Sequence, residues 1–348
     1  MSCDPMLKLL TIIIPTYNMQ NFLHRCLDSL IVPLKLLEQI EVLVVNDGSK
    51  DNSSAIGHEY ESRYPDTFRV IDKENGNYGS CVNRGLAEAH GKYIKVLDAD
   101  DWFDTEAFVT YLGFLEDTEV DMVLTPYNIV DAKTGETSVS YHPNLEEGKV
   151  YRFSDCSYDD VGVYMMHAVT YRVDFLRSIS YTQTEGISYT DTEWTYNPLY
   201  AVETMAFCNC NVYQYLVGRE GQTMDPKVMV KTINHHEIIT KSLIRGLQQN
   251  HPEGFGKLTV ERQVLYLLKM IYRIRLVQQD ADAFDAKAMS IFDHYIKDQR
   301  PDMYRQISSL LLKPWFPIPY IAFWRLTGRR FPVDGMKKLY RKIRGRHQ

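Results

Sequence analysis

The chain has 348 residues, 45% hydrophobic and 24% charged, which is ordinary globular composition and enough length for one large domain or two smaller ones. The net charge of −6 hides an asymmetry: from Lys313 to Gln348 ten Lys or Arg meet the single acid Asp334, so that stretch carries +9 and residues 1–312 carry −15. An acidic body argues against nucleic acid as the main partner, six cysteines without a pairing pattern argue against a disulfide framework, and no apolar run reaches the roughly 18 to 20 residues that span a bilayer.

The first residues, MSCDPMLKLLTIII, interrupt their basic region with Asp4 and offer no small-residue cleavage site, so a cytoplasmic location is expected. Short runs rich in Val, Ile and Leu follow at 9–14, 41–45, 68–71, 93–97 and 121–125, bounded by Pro, Asp, Asn and Gly, and read as strands. Between them, Phe22, Cys26, Leu27 and Leu30, then Ala55, Glu59 and Arg63, then Cys81, Val82, Gly85, Leu86 and Ala89 recur at helical spacing. This alternation predicts an α/β fold with a mostly parallel sheet flanked by helices, its ligands lying beyond the carboxyl ends of the strands. Residues 126–142 read as a hairpin, and the Tyr-rich stretch to 217 as irregular. Beyond Asp225 three long helical patterns cover 228–249, 258–278 and 282–298. The expected domains are therefore 1–225 and a mostly helical region, 226–348, with a basic aromatic tail.

The polar segments after the predicted strands hold the candidate chemistry. PTYN (15–18) presents Tyr17, placed either to stack on a base or to cap the core. NDGS (46–49) is a tight turn by composition, with Asp47 as an acceptor for a base or ribose as the sharper alternative. NGNYGSCVNRG (75–85) opens a helix and suits an anion, although its spacing is not that of a dinucleotide fingerprint. Asp98, Asp100 and Asp101 crowd the end of the fourth strand; they suit a hard divalent cation, or else a solvated turn, with Asp104 able to cap the next helix. Thr190 and Glu193 have capping-box spacing around Asp191, a carboxylate at a helix start that either favours the dipole or accepts a proton. Cys208 and Cys210 would share one face of a strand, as metal or redox ligands or as plain packing.

Taken together, TIIIPTYN, EVLVVNDGSKDNS and NGNYGS…NRGLAEAHGKYIKVLDADDWFD, in that order and spacing, resemble the inverting glycosyltransferases of family 2. The likeness covers 9–127 firmly and TYRVDFL, YTDTEW and GREGQTM more loosely. It implies the GT-A nucleotide-sugar-binding fold and transfer from a nucleotide-diphosphate sugar, a UDP-sugar by preference, to a hydroxyl of a glycan or lipid-linked acceptor in cell-surface polysaccharide synthesis. It also implies Pro15, Tyr17 and Asp47 at base and ribose, and Asp98 and Asp100 as the D-x-D element. Asp98 would face the donor, and Asp100 would be the more direct ligand of Mn2+ or Mg2+. Asp191 would be the catalytic base, and Arg219 would lie near the diphosphate. Many relatives have A-R-N where this chain has Cys81-Val82-Asn83, which leaves more of the diphosphate charge to the cation and Arg219. A nucleotide-sugar-binding protein without transferase activity is the alternative. A dehalogenase-like phosphatase is a more distant one, because that chemistry expects its acid pair after the first strand. Trp315, Phe316, Tyr320, Phe323 and Trp324 ahead of the basic tail suggest peripheral contact with an anionic membrane, or a solvated tail.

Overall fold

The computed structural model of the protein describes residues 8–219, 226–278, 284–313 and 316–330. The chain divides into two units: the first joins residues up to 222 with 246–260, and the second joins 223–245 with the residues from 261 on.

The first unit opens with β1 (Lys8–Thr16), α1 (Leu23–Asp28), α2 (Leu34–Leu37), β2 (Ile40–Asn46), α3 (Ser53–Arg63), β3 (Phe68–Asp72), α4 (Asn77–Glu88) and β4 (Gly91–Val96). These four strands run parallel in the order β3-β2-β1-β4. Every residue of β2 is buried, as its unbroken apolar run requires of a strand covered on both faces. Thr16 pairs with Asn46, Asn46 with Asp72 and Ile13 with Val96, so the residues after β1, β2, β3 and β4 emerge along one rim. A Cβ on Gly85 of α4 would lie 2.6 Å from Ile13, which is why the helix can press this closely on β1.

Then come β5 (Trp102–Phe103), α5 (Thr105–Glu116), β6 (Met122–Leu124), β7 (Tyr127–Asp131) and β8 (Thr137–Tyr141); β7 and β8 form the expected hairpin. The stretch read as irregular is not. It supplies β9 (Val150–Arg152), α6 (Tyr158–Val161), β10 (Val169–Arg172), α7 (Val173–Ser178), α8 (Asp191–Tyr196), β11 (Thr204–Phe207) and β12 (Tyr213–Val217). These strands have three to five residues each, too few for a period to register. The main sheet continues β4-β10-β6-β11-β9, with β10 antiparallel to both neighbours, and β5-β12-β7-β8 makes a second sheet. Asp104 caps α5 by accepting from the Ala107 amide at 2.9 Å, so the three acids before it are not needed for that purpose.

The helices α9 (Pro226–Lys231), α10 (Ile233–Asn250), α11 (Gly254–Arg273), α12 (Ala286–Gln299), α13 (Pro301–Ser308) and α14 (Tyr320–Thr327) follow, with a π turn at Ile274–Gln278. A short antiparallel pair, β13 (Leu311–Lys313) and β14 (Phe316–Pro319), precedes α14. Within the second unit, Arg325 Nη2 donates to Asp293 at 2.7 Å and its guanidinium stacks on Tyr304 at 3.4 Å. Tyr320 and Trp324 are buried here, so these two aromatics pack into their own unit instead of being presented to a membrane. Trp315 and the basic residues from 331 on lie outside the described residues. Among the described residues no helix is long and apolar enough to cross a membrane.

Candidate active site

The rim turns are tied to one another before any ligand is considered. Asn18, at φ 55°, accepts the Lys50 amide at 2.8 Å and donates its own amide to Ser49. Asp47 is buried and spends both carboxylate oxygens on the start of α4. Lys73 Nζ (2.6 Å) and the Gly76 amide (2.9 Å) donate to Oδ1, and the Asn77 amide (2.9 Å) donates to Oδ2. The anion at that helix start is therefore a protein carboxylate, which corrects the expectation that it stands open to phosphate.

Beside this turn lies a cavity of about 500 Å³ whose wall includes Tyr17, Asn46, Gly48, Lys50, Asp72 and Lys73. Tyr17 is 47% exposed, as a stacking platform must be, whereas Pro15 is held in register with Val45 and Asp47 stands behind the wall. The sequence reading did not single out Asp72 or Lys73. Asp72 accepts from Asn46 Nδ2 (2.6 Å), Ser54 Oγ (2.8 Å) and, through its other oxygen, His58 Nε2 (2.9 Å), an arrangement that holds its carboxyl below the usual range despite partial burial. The rim rule applied to the third strand would have found both.

The three crowded acids have three different environments. Asp101 is buried and accepts from Tyr213 Oη and the Leu216 amide, both at 2.8 Å, which anchors the turn after β4 to β12. Asp100 pairs with Arg219 Nε at 2.5 Å, and that guanidinium also lies 5.1 Å from the centre of the Phe22 ring. Asp98 accepts from Tyr78 Oη at 2.8 Å. Burial, then the charge of Asp100, pushes Asp98 up to about 7, with Asp191 adding to the rise and Tyr78 and Arg219 opposing it. Burial and its two acidic neighbours also raise Asp101. An acid pair held above its normal range by burial is a site short of positive charge, and carboxylate oxygens are the donors hard divalent cations prefer, so these residues fit such an ion. Ligand atoms of Asp98, Asp101 and His167 lie within 4.8 Å of one another, the one such group among the described residues. His167 is buried with its ring stacked on Tyr215 at 4.1 Å. Burial and nearby Lys95 depress it to about 3.

Asp191 opens α8, and burial raises its carboxyl above the usual range. The expected capping box does not form. Thr190 has helical φ and ψ (−76°, −6°) where a capping residue is extended, and its hydroxyl makes no cap bond. Glu193 instead accepts from the Thr184 amide (2.7 Å) and Thr184 Oγ1 (2.9 Å). The 183–186 segment is in turn fastened to α4. Asn83 brackets Gln183 from both sides, the Gly186 amide donates to the Gly76 carbonyl, and Gly79 faces the Thr184 carbonyl with no room for a side chain. A strap thus joins the helix that carries Asp191 to the helix that carries Tyr78. Val82, where many relatives are expected to have arginine, is buried, and Arg84 is occupied by Glu88. Cys208 and Cys210 are both buried with sulfurs 3.2 Å apart; the neighbouring thiol and burial push Cys208 up, which suits packing better than redox or metal chemistry.

Residues 11–180 match the family model described as glycosyl transferase family 2. The chain is 34% identical over 132 residues to the minor teichoic acid biosynthesis protein GgaB of Bacillus subtilis, covering 37% of this chain and 15% of that one. It is 32% identical over 157 residues to the putative glycosyltransferase EpsH of the same organism, covering 41% and 44%. These matches span less than half of either relative. Among solved structures, S. aureus TarS 1-349 in complex with UDP-GlcNAc aligns over 92% of both chains at TM-score 0.54 and 18% identity. The complex with UDP aligns over 85% of this chain and 89% of that one at TM-score 0.51 and 21% identity. The GT-A fold expected from the sequence is the fold observed.

Proposed function

We propose that the chain, whose residues 11–180 match the model of glycosyl transferase family 2, is a member of that family and moves a sugar from a nucleotide-diphosphate donor, a UDP-sugar, to a hydroxyl of a glycan or lipid-linked acceptor, with inversion, in cell-surface polysaccharide synthesis. The observation that carries this reading is the joining of two distant segments: the 183–186 strap ties α8, which opens with Asp191, to α4, whose Tyr78 hydrogen-bonds Asp98. The name of one relative, a minor teichoic acid biosynthesis protein, and UDP in the TarS structure support the substrate class.

In this mechanism Tyr17 stacks on the base while Lys50 and Lys73 line the cavity beside it. Asp98 and Asp100, the pair of the D-x-D element, would hold Mn2+ or Mg2+, although the ligand atoms that lie together in this structure are those of Asp98, Asp101 and His167; the ion when bound would offset the charge growing on the leaving diphosphate. Arg219, already beside Asp100, adds positive charge there. Asp191 accepts the proton of the acceptor hydroxyl as its oxygen bonds to the anomeric carbon and the bond to the diphosphate oxygen breaks. A carboxyl raised by burial is a stronger base than an exposed one, which suits that task. The test is a panel of nucleotide sugars scored for binding and for release of the nucleotide diphosphate. One donor class should bind and hydrolyse slowly, and Asp191→Asn should abolish transfer while donor binding persists. Loss of donor binding alone in that variant would contradict the assigned role, and binding without any turnover would favour a nucleotide-sugar-binding protein. Activity that survives exhaustive chelation would remove the cation from the mechanism.

A further inference from the structure

The sequence places Tyr78 in a helix opening and gives it no role of its own, yet its side chain reaches from α4 to the crowded acids: its hydroxyl is 2.8 Å from Asp98 Oδ1 and 3.3 Å from Met166 Sδ. From these contacts we infer that Tyr78 is a positioning residue, a neutral hydrogen-bond donor that fixes the Asp98 carboxylate for cation-dependent binding of a nucleoside diphosphate. The inference rests on the donor site proposed above and adds a residue to it.

Three features of the fold support it. A phenol carries the hydroxyl hydrogen and the Asp98 carboxylate offers acceptor oxygens, so at 2.8 Å Tyr78 faces Asp98 as the donor. Its place is rigid: Asn77, at φ 65°, sets the first turn of α4, Asp47 holds the amides of Gly76 and Asn77, and Gly79 presses against the Thr184 carbonyl. The neighbouring positions also offer no cation to do the same work, because Val82 is buried and apolar and Arg84 is held by Glu88. The difference matters physically. An arginine would neutralise Asp98 and compete with a bound ion, whereas a phenol orients the carboxylate and leaves its charge available.

The experiment is calorimetric titration of UDP into the full chain with and without Mn2+, for wild type, Tyr78→Phe, Asp98→Asn and the double variant. A hydrogen bond to a charged group supports a loss of about tenfold in Mn2+-dependent UDP affinity for Tyr78→Phe. Metal-free UDP binding, which relies on the cavity beside Tyr17, should be unchanged, and adding Tyr78→Phe to Asp98→Asn should cost nothing further. Equal Mn2+-dependent affinity in wild type and Tyr78→Phe overturns the inference and leaves the donor site standing. So does an equal loss with and without Mn2+, or an additive loss in the double variant, since either means that the phenol acts through the fold at large. A wild type that binds no UDP under either condition overturns the donor reading and this inference together.

Discussion

Gly79→Ala is the sharpest test of how Asp191 is placed. A Cβ at this position would lie 2.2 Å from the Thr184 carbonyl oxygen and 3.2 Å from the Gln183 Cβ. The obstacle is backbone, and it is held from behind by Glu193 on Thr184 and by Asn83 on Gln183. Overpacking of this kind costs about 1–3 kcal/mol. Pushing the strap outward also strains the bonds to the Glu193 carboxylate, and losing one such charge-assisted bond costs about 1.5–3 kcal/mol. Against this, alanine gains about 1 kcal/mol over glycine in a helix. The net expectation is a loss of about 2–4 kcal/mol. Gly113 in α5 is the internal control: it is exposed, with nothing within 4 Å of a new Cβ, so Gly113→Ala should gain about 0.5–1 kcal/mol. Urea denaturation at constant slope reads both. Equal shifts, or a stabilised Gly79→Ala, would mean that the strap yields freely and that α8 owes its position to something else.

Three further outcomes are expected. Asp104→Ala removes the side-chain cap of α5 and should cost about 1 kcal/mol in the same assay; no loss would mean the bond to Ala107 is idle. His167 titrates near 3 when folded and near its ordinary value when unfolded, so the unfolded state binds the extra proton between pH 3 and 6.5 and stability rises with pH across that window. His167→Phe keeps a ring against Tyr215 and should flatten that rise by up to about 1.4 kcal/mol per pH unit, read as the difference between the two stability profiles; parallel profiles would refute the buried neutral state. Asp72→Asn weakens the acceptor on the wall of the 500 Å³ cavity without disturbing the acids after β4. It should therefore lower UDP affinity alike with and without Mn2+, and an effect confined to Mn2+ would place the base elsewhere.

What the sequence disclosed and what it withheld follow from the length scale of each interaction. The strands β1 to β4 were legible because each is a run of apolar residues covered on both faces, and the rim followed because consecutive parallel strands must end on the same side. The strands β9 to β12 were not, since three to five residues set no period and their partners are far away in the chain. The site divides in the same way. The acids and Tyr17 announced themselves as local motifs, whereas Lys73, which holds Asp47, and Thr184, which holds Glu193, owe their roles to partners 26 and nine positions away. The Thr190–Glu193 pair shows the opposite failure: correct spacing, with a tertiary partner winning the carboxylate.

The crowding of acids after β4 is resolved by division of labour, which the spacing could not reveal. Asp101 is satisfied inside the protein by Tyr213 and Leu216, Asp100 by the cation of Arg219, and Asp98 by a neutral phenol. Substituting each acid therefore poses a different question. Removing Asp101 frees Tyr213 and a buried amide and should register first as lost stability, because an unpaired buried donor costs about 1–3 kcal/mol. Removing Asp100 leaves Arg219 without this partner and disturbs both sides of the proposed diphosphate site at once. Asp98 and Asp101 both lean on uncharged donors, but Asp101 accepts from a hydroxyl and an amide where Asp98 accepts from one hydroxyl, so of the two acids without a cationic partner Asp98 is the less compensated, and it is there that an added cation relieves most repulsion.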